Sequence, residues 1–170
     1  MTLIVKANDP YDDSGDRAAW QNFCASKGWE IQFGGKIDPI DGYICTTKGK
    51  IVAVELAHTS TWTTEPEFPA AFLRVPARKF PYFQQVFDGV DVMGDSSKLY
   101  GHCGNGWLVL LNTARTVAGL LPFKHLVRDV DTFFTEESIA NGEPCVFKLV
   151  PANYIKKYVS LKEDDPFALS

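Results

Sequence analysis

Asp41 and Glu55 bracket two short apolar runs joined by Lys48-Gly49-Lys50, in the stretch IDGYICTTKGKIVAVEL. Asp41 opens the first run and Glu55 closes the second. A hairpin over this stretch brings its two ends together, so both carboxylates are expected side by side at one edge of a sheet. Carboxylates so placed repel unless a cation lies between them, and oxygen ligands at that spacing suit Mg²⁺ or Mn²⁺. The backbone carbonyl of Leu56 would supply a third oxygen, with waters and a substrate phosphate filling the rest. The chemistry this predicts is metal-dependent hydrolysis of a phosphodiester. Taken alone, Asp41-Gly42 is a common turn dipeptide. Glu55 is harder to dismiss, because a charge ending an IVAV strand must be satisfied by something.

The elements that must hold these residues can be read on either side. Asp16 or Ser14 can cap a helix running to about Lys27, ended by Gly28, with Trp20, Phe23 and Cys24 on one apolar face. Glu30 to Phe33 reads as a first strand, Gly42 to Thr46 as a second and Ile51 to Ala57 as a third. The third is apolar enough to be covered on both faces, hence central in its sheet. A polar loop over Thr59 to Pro69 leads to a fourth strand near Ala71 to Val75 and then to a helix containing Arg78, Lys79, Tyr82, Phe83 and Val86. Pro81 is tolerable there only near the first turn. Asp88 to Gly106 is loop-like. Trp107 to Asn112 and Thr116 to Leu121 form a strand pair, and Cys145 to Val150 forms a last strand before a short helical or irregular end. The tail from residue 162 to 170 is expected to fray. The fold class expected is α/β (α+β): a mixed central sheet flanked by helices, in a single domain over residues 1–170.

Composition narrows the setting. With 170 residues, 45% apolar and 22% charged, the chain fits one ordinary globular core. Its N-terminus lacks the pattern of a signal peptide, and no apolar run reaches membrane-spanning length. A cytoplasmic location, in a bacterial or phage-infected host cell, is therefore expected. Four cysteines lie far apart without a Cys-x-x-Cys pair and read as reduced thiols. His58, His102 and His125 show no zinc spacing, and His102-Cys103 reads as a loop pair. A net charge of −4 argues against a non-specific nucleic-acid coat, but not against a nuclease that gathers bases locally.

The acid opening IDGY and the acid closing VAVEL together resemble the motif of the PD-(D/E)XK nuclease superfamily, the restriction-endonuclease-like fold. The resemblance spans about residues 14 to 121. Arg78-Lys79 in VPARKFPYF fits the basic helix of that family, and WLVLLNTARTVAGLL is similar to the strands completing its small phage and resolvase-like members. The resemblance implies a Mg²⁺-dependent DNA endonuclease of phage, homing or resolvase-like type, often a homodimer, cutting by in-line attack of water. Asp41 and Glu55 would hold the metal. Where the family carries its catalytic lysine, this chain has Ala57, which can neither orient water nor offset charge on a phosphorane. Three readings stand. The lysine has been removed and the chain inactivated; its role has moved to Lys79; or the chain is a non-catalytic nucleic-acid-binding or protein-interaction module.

Further residues follow from the same reading. Asp16 is an additional acid of the kind some members carry on the first helix, though its simpler role is an N-cap. Asp38, before Pro39, either adds a ligand or shapes the entering loop. His58 should point to the strand face opposite Ala57 and is expected to be structural. Arg74, Arg78, Lys79 and Lys36 are the expected rim for the DNA backbone, whereas Lys48 and Lys50 at the hairpin tip read as solvated charges. Trp62 would either stack on a base or pack its loop.

Overall fold

A computed structural model of the chain describes residues 14–35, 39–90, 104–141 and 143–161. Helix α1, Ser14–Ser26, buries Trp20, Phe23 and Cys24 as their spacing predicts. It leads into β1 (Glu30–Phe33), β2 (Gly42–Cys45) and β3 (Ile51–His58). Next come β4 (Phe72–Pro76), a single 3-10 turn over Ala77–Lys79, α2 (Phe80–Phe87), β5 (Gly106–Leu111) and β6 (Val117–Pro122). The chain continues through α3 (Phe123–Asp129), β7 (Thr135–Asn141), β8 (Glu143–Pro151) and β9 (Lys157–Ser160).

Six strands form one mixed sheet in the order β1-β2-β3-β5-β6-β9. The pair β3–β5 is parallel and the other neighbours are antiparallel. A parallel neighbour needs a crossover, and the segment carrying α2 supplies it. The central position expected for the IVAV strand is what the sheet has. Val54 of β3 with Val109 and Leu111 of β5 pack on the α1 face. Ala53 with Leu108 and Leu110 pack on the opposite face, beneath Phe80 and Phe83 of α2 and Phe123 of α3. Burial on both faces is why the run is apolar without alternation.

A second sheet departs from expectation. The strand β4 pairs with β8, and β8 with β7, so β4 does not lie beside β3. The strand read at Cys145 to Val150 also belongs to this sheet, and the irregular end contains β9, which closes the main sheet against β6. Nothing local in FLRVP says which sheet it joins, because edge pairing depends on long-range partners. Residues 123–144, unassigned from sequence, hold α3 and β7. No helix among the described residues is long and apolar enough to cross a membrane. The tail 162–170 lies outside the described residues, as do Lys36, Asp38, His102 and Cys103.

Candidate metal and phosphodiester site

The β2–β3 hairpin closes as its sequence predicts. Gly49 takes φ +80°, a conformation glycine adopts without a Cβ penalty, and its amide donates to Thr46 O at 2.9 Å. The register sets Gly42 opposite Val54, which places Asp41 one step further on, beside Glu55. The backbone of Asp41 is fixed from two sides: its amide donates to Val54 O at 3.1 Å, and its carbonyl accepts from the Gly34 amide at 2.7 Å. Gly42 is required next to it, since a Cβ there would overlap the Gln32 carbonyl of β1.

With its backbone so held, Asp41 turns its side chain across the end of the ladder. Its Oδ2 accepts from the Leu56 amide at 2.7 Å, and its Oδ1 accepts from Arg17 of α1 at 3.1 Å. Arg17 also donates to Gly34 O at 3.2 Å and lies over the Phe33 ring. In an extended strand one residue's N–H and C=O point to the same side. The Leu56 carbonyl therefore lies on the edge that Asp41 occupies.

Glu55 approaches from the opposite face of β3, the face of Ala53 and Ala57. Its Oε2 meets Lys79 Nζ at 2.9 Å, and Lys79 also donates to Pro39 O at 2.6 Å. Lys79 stands at the N-cap of α2, with Pro81 in the first turn where a missing amide costs little. Its ammonium has three donors, of which these two partners take one each. The other carboxylate oxygen, Glu55 Oε1, is buried with no hydrogen-bond partner among the described residues. Burial above all, and then the neighbouring Asp41 carboxylate, push the Glu55 pKa up to about 8 against the pull of Lys79.

Asp41, Glu55, Lys79 and the Leu56 backbone are thus brought together at one edge. Other predicted residues fall elsewhere. Asp16 is no N-cap: it lies inside α1, is 2% exposed, and accepts from Arg115 Nε at 2.8 Å beside His58 Nδ1 at 3.3 Å. That places it on the α1 side of β3, away from Glu55. His58 points to the face opposite Ala57, as expected. Arg74 is held by Glu137 on the second sheet, and Trp62 is buried against Phe68 and Tyr158, its indole donating to Glu65 O at 2.7 Å. A fully buried ring offers no stacking surface for a base, so Trp62 packs its loop. Arg78 is exposed beside Lys79. The residue that sequence reasoning passes over is Arg17; its only signal is its place one turn into the helix preceding the hairpin.

No protein-family model, no curated protein and no solved structure matches this chain. The site must be judged on its own donors.

A divalent cation can be tested against that donor set. Among the described residues no three His, Cys, Asp or Glu side chains gather in one place. Two carboxylates and a backbone carbonyl are, however, a common share of the ligands of Mg²⁺, which keeps several waters. The buried oxygen of Glu55 without a partner is the kind of atom that a cation or a proton must satisfy. The residues present fit the ion.

Proposed function

We propose that the chain is a Mg²⁺- or Mn²⁺-dependent endonuclease acting on DNA phosphodiesters, with Lys79 in the role for which Ala57 is unfit. The observation that carries the reading is the approach of Lys79 Nζ to within 2.9 Å of Glu55 Oε2, on the strand face that Ala57 shares. A lysine at position 57 would project from that face two residues beyond Glu55; Lys79 brings an ammonium to it from the facing helix. The element order also supports the restriction-endonuclease-like reading: helix, strand, hairpin, crossover helix, then a strand parallel to the hairpin's second strand.

Each group has a part. Asp41 and Glu55 with the Leu56 carbonyl would hold the cation. When bound, that ion polarises the phosphoryl oxygen and makes water a stronger nucleophile. Lys79 keeps one N–H beyond its two partners, and this donor can face the attacking water or the charge growing on phosphorus. Arg17 fixes Asp41 from the other face, so the carboxylate need not reorganise as substrate arrives. A non-catalytic binding module is the second reading, and it draws on the same Asp41–Arg17 and Glu55–Lys79 pairs. Asp41 already has a counter-cation in Arg17, and Glu55 a donor in Lys79, so the cluster can stand without metal. Incubation with duplex and branched DNA, in Mg²⁺ and in EDTA, separates the two. Metal-dependent cutting supports the enzyme; binding without cutting in every DNA form supports the module.

Arg78 gives a prediction of its own. It lies next to Lys79, at the start of the helix facing the site. An arginine there is suited to a backbone phosphate, which carries no sequence information. Arg78→Ala should weaken binding uniformly across DNA sequences and shallow the log–log salt slope by about 1. Anisotropy titrations at several salt concentrations, in Ca²⁺ to suppress cutting, read both. An unchanged slope removes Arg78 from the interface.

A further inference from the structure

Helix α1 joins the proposed site to a groove at its other end. Arg17 in its first turn holds Asp41. Asn22 and Phe23 in its later turns line a groove of about 480 Å³ with Trp29, Trp107, Lys27 and Lys157. At 1.5 Å per residue, Arg17 and Ser26 are about 14 Å apart along the axis. The groove lies on the α1 face of the sheet, with Leu120 and Val159, whereas Glu55 shares the opposite face with Ala53 and Ala57.

The groove's make-up is specific. Trp29 and Trp107 are both half-buried, with ring centroids 6.2 Å apart and planes at 50°, so part of each ring faces outward. Phe23 stands edge-on to Trp29 and forms the floor. Lys27 Nζ hangs 5.6 Å over the Phe23 ring, and Lys157, also in the lining, is exposed. No acidic residue lines the groove among the described residues, although the chain as a whole carries a net charge of −4. A core needs no lysines over its aromatic rings, and a solvated face needs no paired tryptophans.

We propose that this groove binds an unpaired strand of nucleic acid, its bases stacked on Trp29 and Trp107 and its phosphates held by Lys27 and Lys157. Stacking platforms flanked by cations are how single strands are held without sequence preference, because every base has a π-face. The inference rests on the nucleic-acid reading above and refines it. The substrate class becomes DNA with a single-stranded arm, such as a flap or branch, rather than plain duplex.

The test is a titration of the full chain with dye-labelled oligothymidylate in EDTA, followed by anisotropy and by tryptophan emission. Binding with quenching is expected, and Trp29→Ala should weaken it by about 5-fold to 150-fold. Lys27→Gln with Lys157→Gln leaves the aromatic packing intact. It should shallow the salt slope by roughly 0.7 for each phosphate that is no longer neutralised. Wild-type affinity in the lysine double variant, with its melting unchanged, overturns the proposal. So does the absence of quenching both in the full chain and in a chain truncated after Leu161. In that case, if truncation alone shifts tryptophan emission, the groove belongs to the acidic tail of the chain. Because no metal is present, loss of catalysis cannot mimic any of these results. A chain that binds oligothymidylate here yet never cuts DNA refutes the enzyme reading alone.

Discussion

Replacing Lys79 by alanine is expected to lower Mg²⁺-dependent DNA cleavage by about 10²–10³-fold, the usual loss when one preorganised group aimed at a developing charge is removed. The expectation rests on position. Lys79 is anchored by Pro39 O and Glu55 Oε2, so its ammonium is held in place before substrate arrives. Two effects can be told apart. If Lys79 only supports Glu55, excess Mg²⁺ should restore the rate of Lys79→Ala, because the defect lies in metal affinity. If it acts on the reacting phosphate, the maximal rate stays low at saturating Mg²⁺. Adding Ala57→Lys to Lys79→Ala should recover part of the activity, since position 57 shares the strand face of Glu55. Full activity in Lys79→Ala would leave the site without a basic group on that face and contradict the assignment.

The second large effect is a pH dependence of stability seated in Glu55. Its pKa lies near 8 in the folded chain, against an ordinary value of 4.5. Between those values the folded state binds the extra proton. The stability contributed by this group is therefore greatest below about 4.5, falls as pH rises through the window, and levels off above about 8. The decline should amount to roughly a few kcal/mol, because the carboxyl is buried and little screened. Glu55→Gln keeps a neutral group in that position and should flatten this part of the profile. Urea midpoints taken from about pH 5 to about pH 8 read the difference. Mg²⁺ should act oppositely, favouring ionised Glu55, so its stabilising effect should grow with pH. A wild-type profile parallel to that of Glu55→Gln would show that Glu55 is not held protonated by its surroundings.

What can be read from the sequence is local. The β2–β3 hairpin is legible because Lys48-Gly49-Lys50 and the flanking apolar runs encode their own register, and that register sets Asp41 beside Glu55. The central place of β3 follows from an unbroken IVAV run that only two covered faces tolerate. The rest depends on distant partners. FLRVP carries no mark of the sheet it joins, so the sequence alone leaves it in one central sheet, whereas it lies in a second sheet against β8. Yet its helix still brings Lys79 to Glu55, because the 3-10 turn and α2 cross the face that Glu55 occupies. Asp16 looks like a cap because it stands near a helix start; its partner Arg115 lies 99 residues along the chain. Trp62 looks available because its loop is polar, but Phe68 and Tyr158 close over it. Arg17 is missed for a related reason: an arginine on a helix face reads as solvated until the hairpin end that it meets is in place.

The central claim, that Asp41 and Glu55 share one divalent cation, is tested most directly by a crystal soaked in Mn²⁺ and measured at the manganese absorption edge. The account predicts one anomalous peak bound by a carboxylate oxygen of Asp41, Glu55 Oε1 and the Leu56 carbonyl, each at roughly 2.0–2.3 Å. The peak should vanish in Glu55→Gln. If the soaked crystal shows no peak there, with Arg17 still on Asp41 and Lys79 still on Glu55, the cluster is a closed set of ion pairs and the metal-site account is wrong.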